Sequence, residues 1–573
     1  MDIAGRHPVG RGSAVRRRVR RLGSGLAVVA LLLGALAPPV GAAPEPVRLR
    51  VMTFNIWYGA TQTDLGKVIE AIEAARADVV GMQEPYARLR RIARALGFHA
   101  SPRMHVISRY PILEPEGSDG RWAYLVLGPG RVAAIANTHL PCCPYTPYRI
   151  VNRGMDREAT FSLFVRRMPP NRGFLVAAGL EPCLAFLESF RFEEDELAHL
   201  AELGYDEDTL EAFGRLRFTG DVWAVPEGRI VYADEPLLEV TAPIAVAQLV
   251  ETYLLNVVTF QTTIASKAAR CVLAARGKDL VDFAFRRTQG VDAAMAVART
   301  TAMVGFVATS NVEAGRRYGI PVAGTMAHSF IEAFPTERDA FAAFAADHPT
   351  RTTFLVDTYD TPNGVRTAIQ VIRELGLAGR LGIRLDSGDL DALSRQARRI
   401  LDEAGLPHVR IFASGGLDEM DVDRLVRAGA PIDAFGIGTK MGTSADAPYL
   451  DSVYKLVEFD GRPVLKLSTA KATLPGRKQV FRGPEGDVLG LRVEPVPPGH
   501  EPLLVPVMRG GRRTGPPETL AEARRRFEAD LAAVPEPARR LADPEPPAPR
   551  VSDALQALAG SVREQTLRRV GVL

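Results

Sequence analysis

Four stretches of the sequence share one pattern and decide the fold: TFLVDTYD at residues 353–360, LGIRLDSGD at 381–389, VRIFASGG at 409–416 and IDAFGIGT at 432–439. Each stretch begins with apolar residues and ends in a polar or glycine-rich cluster. They recur about every 25 to 30 residues, a spacing typical of β/α repeats. The segments between them have the apolar spacing of helices: 365–375, 391–404 and 418–428. The pattern predicts parallel strands that alternate with helices.

The clusters at the strand ends predict an active site. The carboxyl ends of parallel strands share one edge of a sheet, where β/α proteins bind their ligands. The last two clusters are rich in glycine, so their free backbone N–H groups can hold a phosphate. A single glycine turn is more often only a tight loop. Four polar clusters on successive strands are much stronger evidence for a site.

The composition is that of a globular protein with two or more domains. The chain has 573 residues, of which 46% are hydrophobic and 24% are charged. The net charge is +4, but seven arginines lie within the first 21 residues. The rest of the chain therefore indicates no basic surface for DNA or RNA. The four cysteines show neither metal-ligand nor disulfide spacing.

The first 43 residues resemble a secretory signal. A basic stretch ends at Arg21, an apolar run covers residues 26–36, and small residues follow at 40–43. This is the three-part pattern of an export signal. The apolar run is too short for a stable membrane span. A disordered leader or a misassigned start codon is the alternative interpretation.

Residues 47–148 contain a separate set of motifs: TFNIWYG, VGMQEP, VISRYPI and ANTHLPCCPYTPY. They resemble the opening of the endonuclease/exonuclease/phosphatase family of metal-dependent phosphodiesterases. The resemblance implies that Asn55 and Glu84 help to hold a divalent cation and that His139 lies near the scissile phosphate. The family's later GDxN motif and terminal acidic–histidine pair do not occur here. We therefore interpret this segment as a truncated, partial α/β layered domain.

From residue 152 to 573 a different set of motifs follows, without a linker: NVVTFQTTIASKAAR, PVAGTMAHSF, LVDTYDT, IRLDSGDL, ASGGLDE, DAFGIGT and LPGRKQV. They resemble the nicotinate phosphoribosyltransferase family. The resemblance implies an α/β fold, an irregular β/α barrel of the type II phosphoribosyltransferase kind, with a peripheral C-terminal subdomain at about 483–573. It also implies a homodimer.

The same resemblance implies the reaction. Members make nicotinate mononucleotide and pyrophosphate from nicotinate and phosphoribosyl pyrophosphate, coupled to ATP, in NAD biosynthesis. Mg²⁺ would accompany ATP and phosphoribosyl pyrophosphate. The small-molecule partners expected for this chain are therefore nicotinate, phosphoribosyl pyrophosphate and ATP.

The family's catalytic residues can be carried over to four positions. His328, in GTMAHSF, matches the histidine that the family phosphorylates with ATP. Asp357 matches a carboxylate that orients this imidazole, with a turn or helix cap as the alternative role. Asp386 and Asp389 match carboxylates that accept hydrogen bonds from ribose hydroxyls or hold Mg²⁺ on pyrophosphate.

Residues that contact nicotinate are carried over in the same way. Phe283 matches an aromatic side chain that stacks on the pyridine ring, with a core phenylalanine as the alternative. Arg384 would meet the nicotinate carboxylate or the substrate phosphate. Thr309 and Ser310 lie where the related nicotinamide-specific enzyme carries an aspartate. A neutral serine would not repel a carboxylate, which favours nicotinate.

The remaining assignments concern phosphate. Arg286 matches a phosphate ligand, and five residues of the glycine-rich clusters would hold the 5′-phosphate: Ser414, Gly415, Gly436, Gly438 and Thr439. A basic loop would suit pyrophosphate or nucleotide, through Lys466, Lys471, Arg477 and Lys478. A solvated charged loop is the alternative for this second group.

One family segment is missing from the sequence. Members normally open with a stretch resembling TDLYQLTM, whose tyrosine stacks on the base from the partner subunit, and PCCPYTPYRIV stands in its place here.

Two alternatives stay open: a metal-dependent phosphodiesterase that uses Asn55, Glu84 and His139, and an inactive chimera. The leader argues for export, whereas ATP and phosphoribosyl pyrophosphate are cytoplasmic, so we expect the activity in the cytoplasm.

Overall fold

The computed structural model of the chain describes residues 49–55, 65–83, 88–101, 106–113, 122–128, 131–136, 156–203, 205–468 and 472–570. The chain divides into two compact units, Met1–Cys142 and Cys143–Leu573. The predicted leader at 1–43 lies outside the described residues, as do Glu84 and His139. Across the described ranges, no helix has the length and apolar character to cross a membrane.

Within its described residues, the first unit contains two small sheets and two helices. Its elements are β1 (Val51–Asn55), α1 (Leu65–Ala74), β2 (Val79–Gln83), α2 (Leu89–Leu96), β3 (His99–Ser101), β4 (Val106–Ser108), β5 (Ile112–Leu113), β6 (Trp122–Gly128) and β7 (Arg131–Ala136). One sheet has the order β1-β2-β4-β3, in which β1 and β2 are parallel, and the other has the order β5-β6-β7. Val68 and Ile72 lie four residues apart on one face of α1 and are buried with Ile92 of α2.

In the part that the structure describes from residue 156 to 275, the second unit contains strands and five helices around a buried core. These elements are β8 (Glu158–Val165), β9 (Leu175–Val176), α3 (Leu180–Ser189), α4 (Glu194–Glu202), α5 (Glu207–Arg215), β10 (Asp221–Ala224), β11 (Ile230–Val231), β12 (Pro236–Pro243), α6 (Ile244–Leu249) and α7 (Glu251–Ala275). All of β8 after Glu158 is buried, because both faces of this central strand are covered. Its Phe161 stacks on Tyr454 with ring centroids 4.9 Å apart.

The parallel β/α part follows directly. Its elements are β13 (Asp279–Asp282), α8 (Val291–Met303), β14 (Ala308–Thr309), α9 (Val312–Tyr318), α10 (His328–Glu332), α11 (Glu337–Asp347), β15 (Thr353–Leu355), α12 (Thr361–Glu374), β16 (Gly382–Leu385), α13 (Leu390–Glu403), β17 (Arg410–Ala413), α14 (Glu419–Arg427), β18 (Ala434–Ile437) and α15 (Thr439–Gly442). The six strands form one parallel sheet in the order β14-β13-β18-β17-β16-β15. A parallel bridge joins Thr309 to Val322 beyond β14.

The C-terminal part adds strands to both edges of the sheet formed by β8, β12 and β10, and it forms a further sheet of its own. It contains β19 (Ser452–Phe459), β20 (Arg462–Pro463), β21 (Lys478–Gly483), β22 (Gly486–Leu491), β23 (Glu501–Pro502), β24 (Val505–Arg509), β25 (Arg512–Arg513), α16 (Leu520–Ala533), α17 (Glu536–Arg539), β26 (Arg550–Val551) and α18 (Asp553–Arg569). A seven-stranded sheet has the order β20-β19-β8-β12-β10-β24-β25, and a four-stranded sheet has the order β23-β21-β22-β26.

The predicted α/β fold is confirmed, and so is the alternation of strands and helices between residues 353 and 439. The sheet curls without closing into a complete barrel within the described part of the chain, because β14 and β15 stand at its two edges. Its carboxyl edge carries the four polar clusters singled out in the sequence. The long helix α7 packs against α14, and many of its buried residues are small, which allows helices to approach closely.

Candidate active site

A cavity of about 530 Å³ lies at the carboxyl edge of the parallel sheet. This volume is within the usual range for a small-molecule site. Ten of the residues predicted to bind substrate or act in catalysis line it: Phe283, Arg286, Ser310, Arg384, Asp386, Ser414, Gly415, Gly436, Gly438 and Thr439. Four further lining residues were not predicted: Phe285, Gly324, Thr325 and Gly416. The structure therefore brings most of the predicted substrate residues to one place.

Arg384, at the end of β16, is held by three side chains of the cavity wall. Its Nε donates to Ser414 Oγ at 2.8 Å, Nη1 to Thr325 Oγ1 at 2.7 Å and Nη2 to Asp386 Oδ1 at 2.5 Å. Its guanidinium carbon lies 5.4 Å from the Phe283 ring centroid, in cation–π range. Guanidinium has five N–H donors, of which these bonds use three. Two donors therefore remain for a carboxylate or phosphate ligand.

Asp386 is held in its charged form. Ser414 Oγ donates to its Oδ1 at 2.5 Å, beside the bond from Arg384. Partial burial would raise the pKa of the Asp386 carboxyl, but the Ser414 hydrogen bond and the Arg384 charge outweigh burial and lower this pKa. An anionic carboxylate is therefore present at the cavity wall at neutral pH, where it can stabilise a positive centre on a ligand.

Two glycines allow parts of the cavity wall to approach each other closely. Gly415 has φ +104°, and a Cβ at this position would lie 1.9 Å from the Asp386 carbonyl oxygen. A Cβ at Gly436 would lie 2.8 Å from the ring of Phe283. A side chain is therefore excluded at both positions. The wall at Gly415, Gly416, Gly438 and Thr439 consequently presents backbone to the cavity, and backbone amides bind phosphate without a charged side chain.

His328 is the first residue of α10 and lies beside the cavity lining. Its Nδ1 is 3.1 Å from Thr358 Oγ1, and its Nε2 is 3.8 Å from Asp386 Oδ2. The imidazole is 39% exposed, so a second ligand can reach it from solvent. Its immediate partners are thus a hydroxyl and the Asp386 carboxylate.

The expectation that Asp357 orients the imidazole needs correction. Asp357 Oδ2 instead accepts the Asp386 backbone N–H at 2.9 Å and the Ser387 hydroxyl at 2.6 Å. Its Oδ1 is buried and has no hydrogen-bond donor among the described residues. Since β15 and β16 are neighbours, the side chain at the end of one strand reaches the end of the next. Asp357 therefore fixes the turn that carries Asp386.

The predicted pair Thr309 and Ser310 separates into two roles. Ser310 lines the cavity, and its backbone N–H donates to the Asp282 carbonyl at 2.8 Å. Thr309 is buried, and its hydroxyl donates to Asp282 Oδ2 at 2.7 Å. The prediction that Thr309 contacts substrate is therefore corrected. Adjacent residues of a strand point to opposite faces, so only one of the two can face the cavity.

Asp389 caps a helix, and its predicted catalytic role stays a prediction. Its Oδ1 accepts the backbone N–H groups of Asp391 and Ala392 at 3.1 and 3.2 Å, at the start of α13. These bonds satisfy donors that the first turn of a helix leaves free.

Arg286 lies in a turn at the cavity, and no ion pair joins it to another described residue.

The predicted basic phosphate loop is not assembled at the cavity. Lys478 is buried in β21, where its Nζ lies 3.2 Å from Glu239 Oε1. Arg477 pairs with Glu458 and Glu158 at 2.8 and 2.6 Å. Lys466 is exposed and does not line the cavity, and Lys471 lies outside the described residues. The assignments of Arg477 and Lys478 are therefore wrong, because carboxylates distant in sequence already neutralise both side chains.

Parts of the chain match the sequence models of known protein families. Residues 147–259 match the nicotinate phosphoribosyltransferase (NAPRTase) N-terminal domain and residues 279–484 match the nicotinate phosphoribosyltransferase (NAPRTase) family. Residues 52–178 match the endonuclease/exonuclease/phosphatase family. That match runs into β8 and β9, which the structure places in the second unit.

Individual relatives agree with the first two matches. Nicotinate phosphoribosyltransferase pncB2 of Mycobacterium tuberculosis is 49% identical over 397 residues, covering 68% of this chain and 85% of the relative. The nicotinate phosphoribosyltransferase of Bacillus subtilis is 45% identical over 357 residues, covering 60% and 73%. The crystal structure of human nicotinic acid phosphoribosyltransferase superposes with a TM-score of 0.66 at 30% identity, covering 73% and 98%. The chain belongs to the nicotinate phosphoribosyltransferase family.

Proposed function

We propose that the part of the chain from residue 152 onward catalyses ATP-dependent formation of nicotinate mononucleotide and pyrophosphate from nicotinate and phosphoribosyl pyrophosphate. One observation carries the proposal. Arg384 has two N–H donors left beside the Phe283 ring, in a cavity whose wall also presents backbone at Gly415, Gly416, Gly438 and Thr439. A carboxylate-bearing aromatic ring and a phosphorylated sugar suit these two features.

Nicotinate binds with its ring against Phe283. Because Arg384 is in cation–π range of the same ring, its free donors are placed for the carboxylate of a stacked pyridine. Ser310 is neutral and leaves this carboxylate unopposed, as the sequence suggested. The exposed Phe285 widens the apolar area available at the cavity.

The transfer breaks the bond between C1′ of the ribose and the pyrophosphate oxygen, while the pyridine nitrogen forms a new bond to C1′. Positive charge develops on the ribose and negative charge on the departing pyrophosphate. The anionic Asp386 stabilises the first, and the unpaired Arg286 is placed for the second. The product keeps its 5′-phosphate on the backbone amides of the glycine-rich wall.

His328 accepts phosphate from ATP in this proposal. If Nδ1 carries the proton and donates it to Thr358 Oγ1, Nε2 is unprotonated on the side of the ring nearer Asp386. The lone pair of Nε2 can then attack the terminal phosphorus of ATP. ADP leaves as the phosphorus–nitrogen bond forms, and water later breaks this bond, which releases inorganic phosphate and restores the imidazole. The exposure of the imidazole allows this step while the cavity holds the other substrates.

Mg²⁺ fits the site as an ion carried mainly by substrate phosphates. Among the described residues, no group of three or more histidine, cysteine, aspartate or glutamate side chains could hold a metal. Asp386 Oδ2 accepts no hydrogen bond from a described residue, so it can serve as one oxygen ligand. One or two carboxylates plus phosphates and waters are a common Mg²⁺ environment. The ion would neutralise pyrophosphate as it leaves.

Three broader features complete the proposal. The active enzyme is a homodimer, the sheet is the irregular barrel of the type II phosphoribosyltransferases, and the activity is cytoplasmic because its substrates are. The resemblance supports the first two. Substrate location supports the third.

The test is product formation by the purified full chain. With nicotinate, phosphoribosyl pyrophosphate, ATP and Mg²⁺, we expect nicotinate mononucleotide, pyrophosphate, ADP and inorganic phosphate. Omission of nicotinate is the control for uncoupled ATP hydrolysis. Hydrolysis of a generic phosphodiester without any of these products would instead favour the phosphodiesterase suggested by the match at residues 52–178. Binding of phosphoribosyl pyrophosphate without turnover would favour the inactive chimera.

A further inference from the structure

Two backbone segments at the cavity must keep a fixed separation if they hold one phosphate together. The first glycine loop (residues 414–416) follows β17, and the second glycine loop (residues 436–439) spans the end of β18 and the residues after it. Both line the cavity. Backbone amides cannot adjust to a ligand as long side chains do, so the separation of the loops determines how well a phosphate fits.

A buried lysine of α7 contacts a residue that follows each loop. Lys267 Nζ lies 2.5 Å from Glu419 Oε2 and 2.8 Å from Asp446 Oδ1. Glu419 comes three residues after Gly416, and Asp446 comes seven residues after Thr439. Lys267 and Glu419 are 3% and 1% exposed, so water screens their interaction very little. One ammonium group thus joins the two chain segments that leave the loops.

Two arginines complete the cluster, each on one side of it. Arg270 Nε lies 3.0 Å from Glu419 Oε1, and Arg172 Nη1 lies 2.7 Å from Asp446 Oδ2. Partial burial would raise the pKa of Asp446, but Arg172 and then Lys267 outweigh it and hold this pKa well below its usual range. Without Lys267, each carboxylate would still have one arginine. The cluster would then contain two cations and two carboxylates, and it would lose the link between its halves.

A second link between the loops lies at the surface. Lys440 Nζ lies 2.8 Å from Asp418 Oδ2, with the lysine side chain 45% exposed. Exposed ion pairs hold their partners weakly, because water competes for both charges. Pairing of β17 with β18 sets the spacing of the loops at their base. Beyond the strands, the buried contact of Lys267 is the stronger of the two side-chain links.

We propose that Lys267 is a positioning residue that fixes the separation of the two glycine loops and thereby sets the affinity for phosphoribosyl pyrophosphate. This inference rests on the proposed function, which makes the loops a phosphate site. Among the described residues, Lys267 forms ion pairs with Glu419 and Asp446, and neither of these lines the cavity. The effect of Lys267 therefore passes through these two carboxylates.

The test compares two charge-removing variants of the full chain, Lys267→Met and Arg270→Met. The two positions lie three residues apart on α7, and both side chains are buried. Each variant leaves two cations and two carboxylates in the cluster. We expect Lys267→Met to raise the KM for phosphoribosyl pyrophosphate about 10-fold or more, since displacements near 1 Å can cost about 100-fold in rate. The KM for nicotinate should change less than about two-fold.

Arg270→Met is the matched control and should leave both KM values near those of the wild type, because it cuts only the Glu419 side of the cluster. Equal increases in the two variants, or no increase in Lys267→Met, would overturn the positioning role. If Lys267→Met does not fold, Asp446→Asn removes the ion pair between Lys267 and Asp446 at its more exposed partner. An unchanged KM for phosphoribosyl pyrophosphate in Asp446→Asn would then overturn the proposal. A wild-type protein that does not bind phosphoribosyl pyrophosphate in calorimetry would overturn the proposed function itself.

Discussion

Replacing Gly415 by alanine should disable the first glycine loop, whereas the same change at Gly416 should be tolerated. A Cβ at residue 415 would lie 1.9 Å from the Asp386 carbonyl oxygen, with φ at +104°. At residue 416, φ is +71° and a Cβ would meet nothing within 4 Å. Backbone strain of a non-glycine residue with positive φ costs about 1–3 kcal/mol, and both variants bear it. The difference between them must come from the overlap at residue 415.

The overlap can be converted into a free energy. A carbon and a carbonyl oxygen approach to about 3.3 Å at closest, so the loop or the end of β16 must move by roughly 1.4 Å. Overpacking of this kind costs about 1–3 kcal/mol in the free energy of unfolding. We therefore expect a loss of about 2–6 kcal/mol for Gly415→Ala and about 1–3 kcal/mol for Gly416→Ala. The displaced loop should also lower kcat/KM for phosphoribosyl pyrophosphate by about 100-fold.

Urea unfolding gives the first quantity, and initial rates at saturating nicotinate give the second. Gly416→Ala is the internal control, since it has the same side chain one residue away. The reasoning is refuted if the two variants have unfolding free energies within about 0.5 kcal/mol of each other and equal kcat/KM, because the close approach to Asp386 would then have no consequence.

Three further predictions concern other parts of the site. His328→Ala should abolish acid-labile labelling by γ-labelled ATP while circular dichroism stays unchanged, and equal labelling of the variant would exclude His328 as the phosphate acceptor. Ser310→Asp should raise the KM for nicotinate about 10-fold or more through repulsion between carboxylates, with Ser310→Asn as the uncharged control, and an unchanged KM would contradict this placement of nicotinate. Lys478→Met should lower the thermal midpoint, since it leaves a buried glutamate with one cation fewer, yet leave the KM for ATP unchanged. A raised KM for ATP with an unchanged midpoint would restore the nucleotide-binding role first predicted from the sequence.

The polar edge of the sheet was predictable because each strand and its polar cluster are adjacent in the sequence. Each strand of the 353–439 region carries its own polar cluster, and parallel strands bring such clusters together whatever their order in the sheet. Thr325 and Gly324 were within the quoted PVAGTMAHSF motif, but only the fold shows that Thr325 meets Arg384, 59 positions later in the chain.

The differences between prediction and structure have identifiable causes. Asp389 precedes Leu390 at the start of a helical stretch, and aspartate at such a position is a common helix cap. The sequence therefore already indicated the capping role beside the role carried over from the family motif. Lys478 could not have been assigned correctly from its neighbours, since its partner Glu239 lies 239 residues earlier in the chain.

Backbone groups in the cavity wall change less on mutation than side chains do. Amides at residues 414–416 and 436–439 are the same whatever side chains surround them, so substitutions offer few ways to retune that contact, and at Gly415 almost none. The positions around Phe283, Phe285 and Ser310 act through their side chains and can change by single substitutions. A library built to change which aromatic acid the enzyme accepts should therefore vary the second group and hold the first constant.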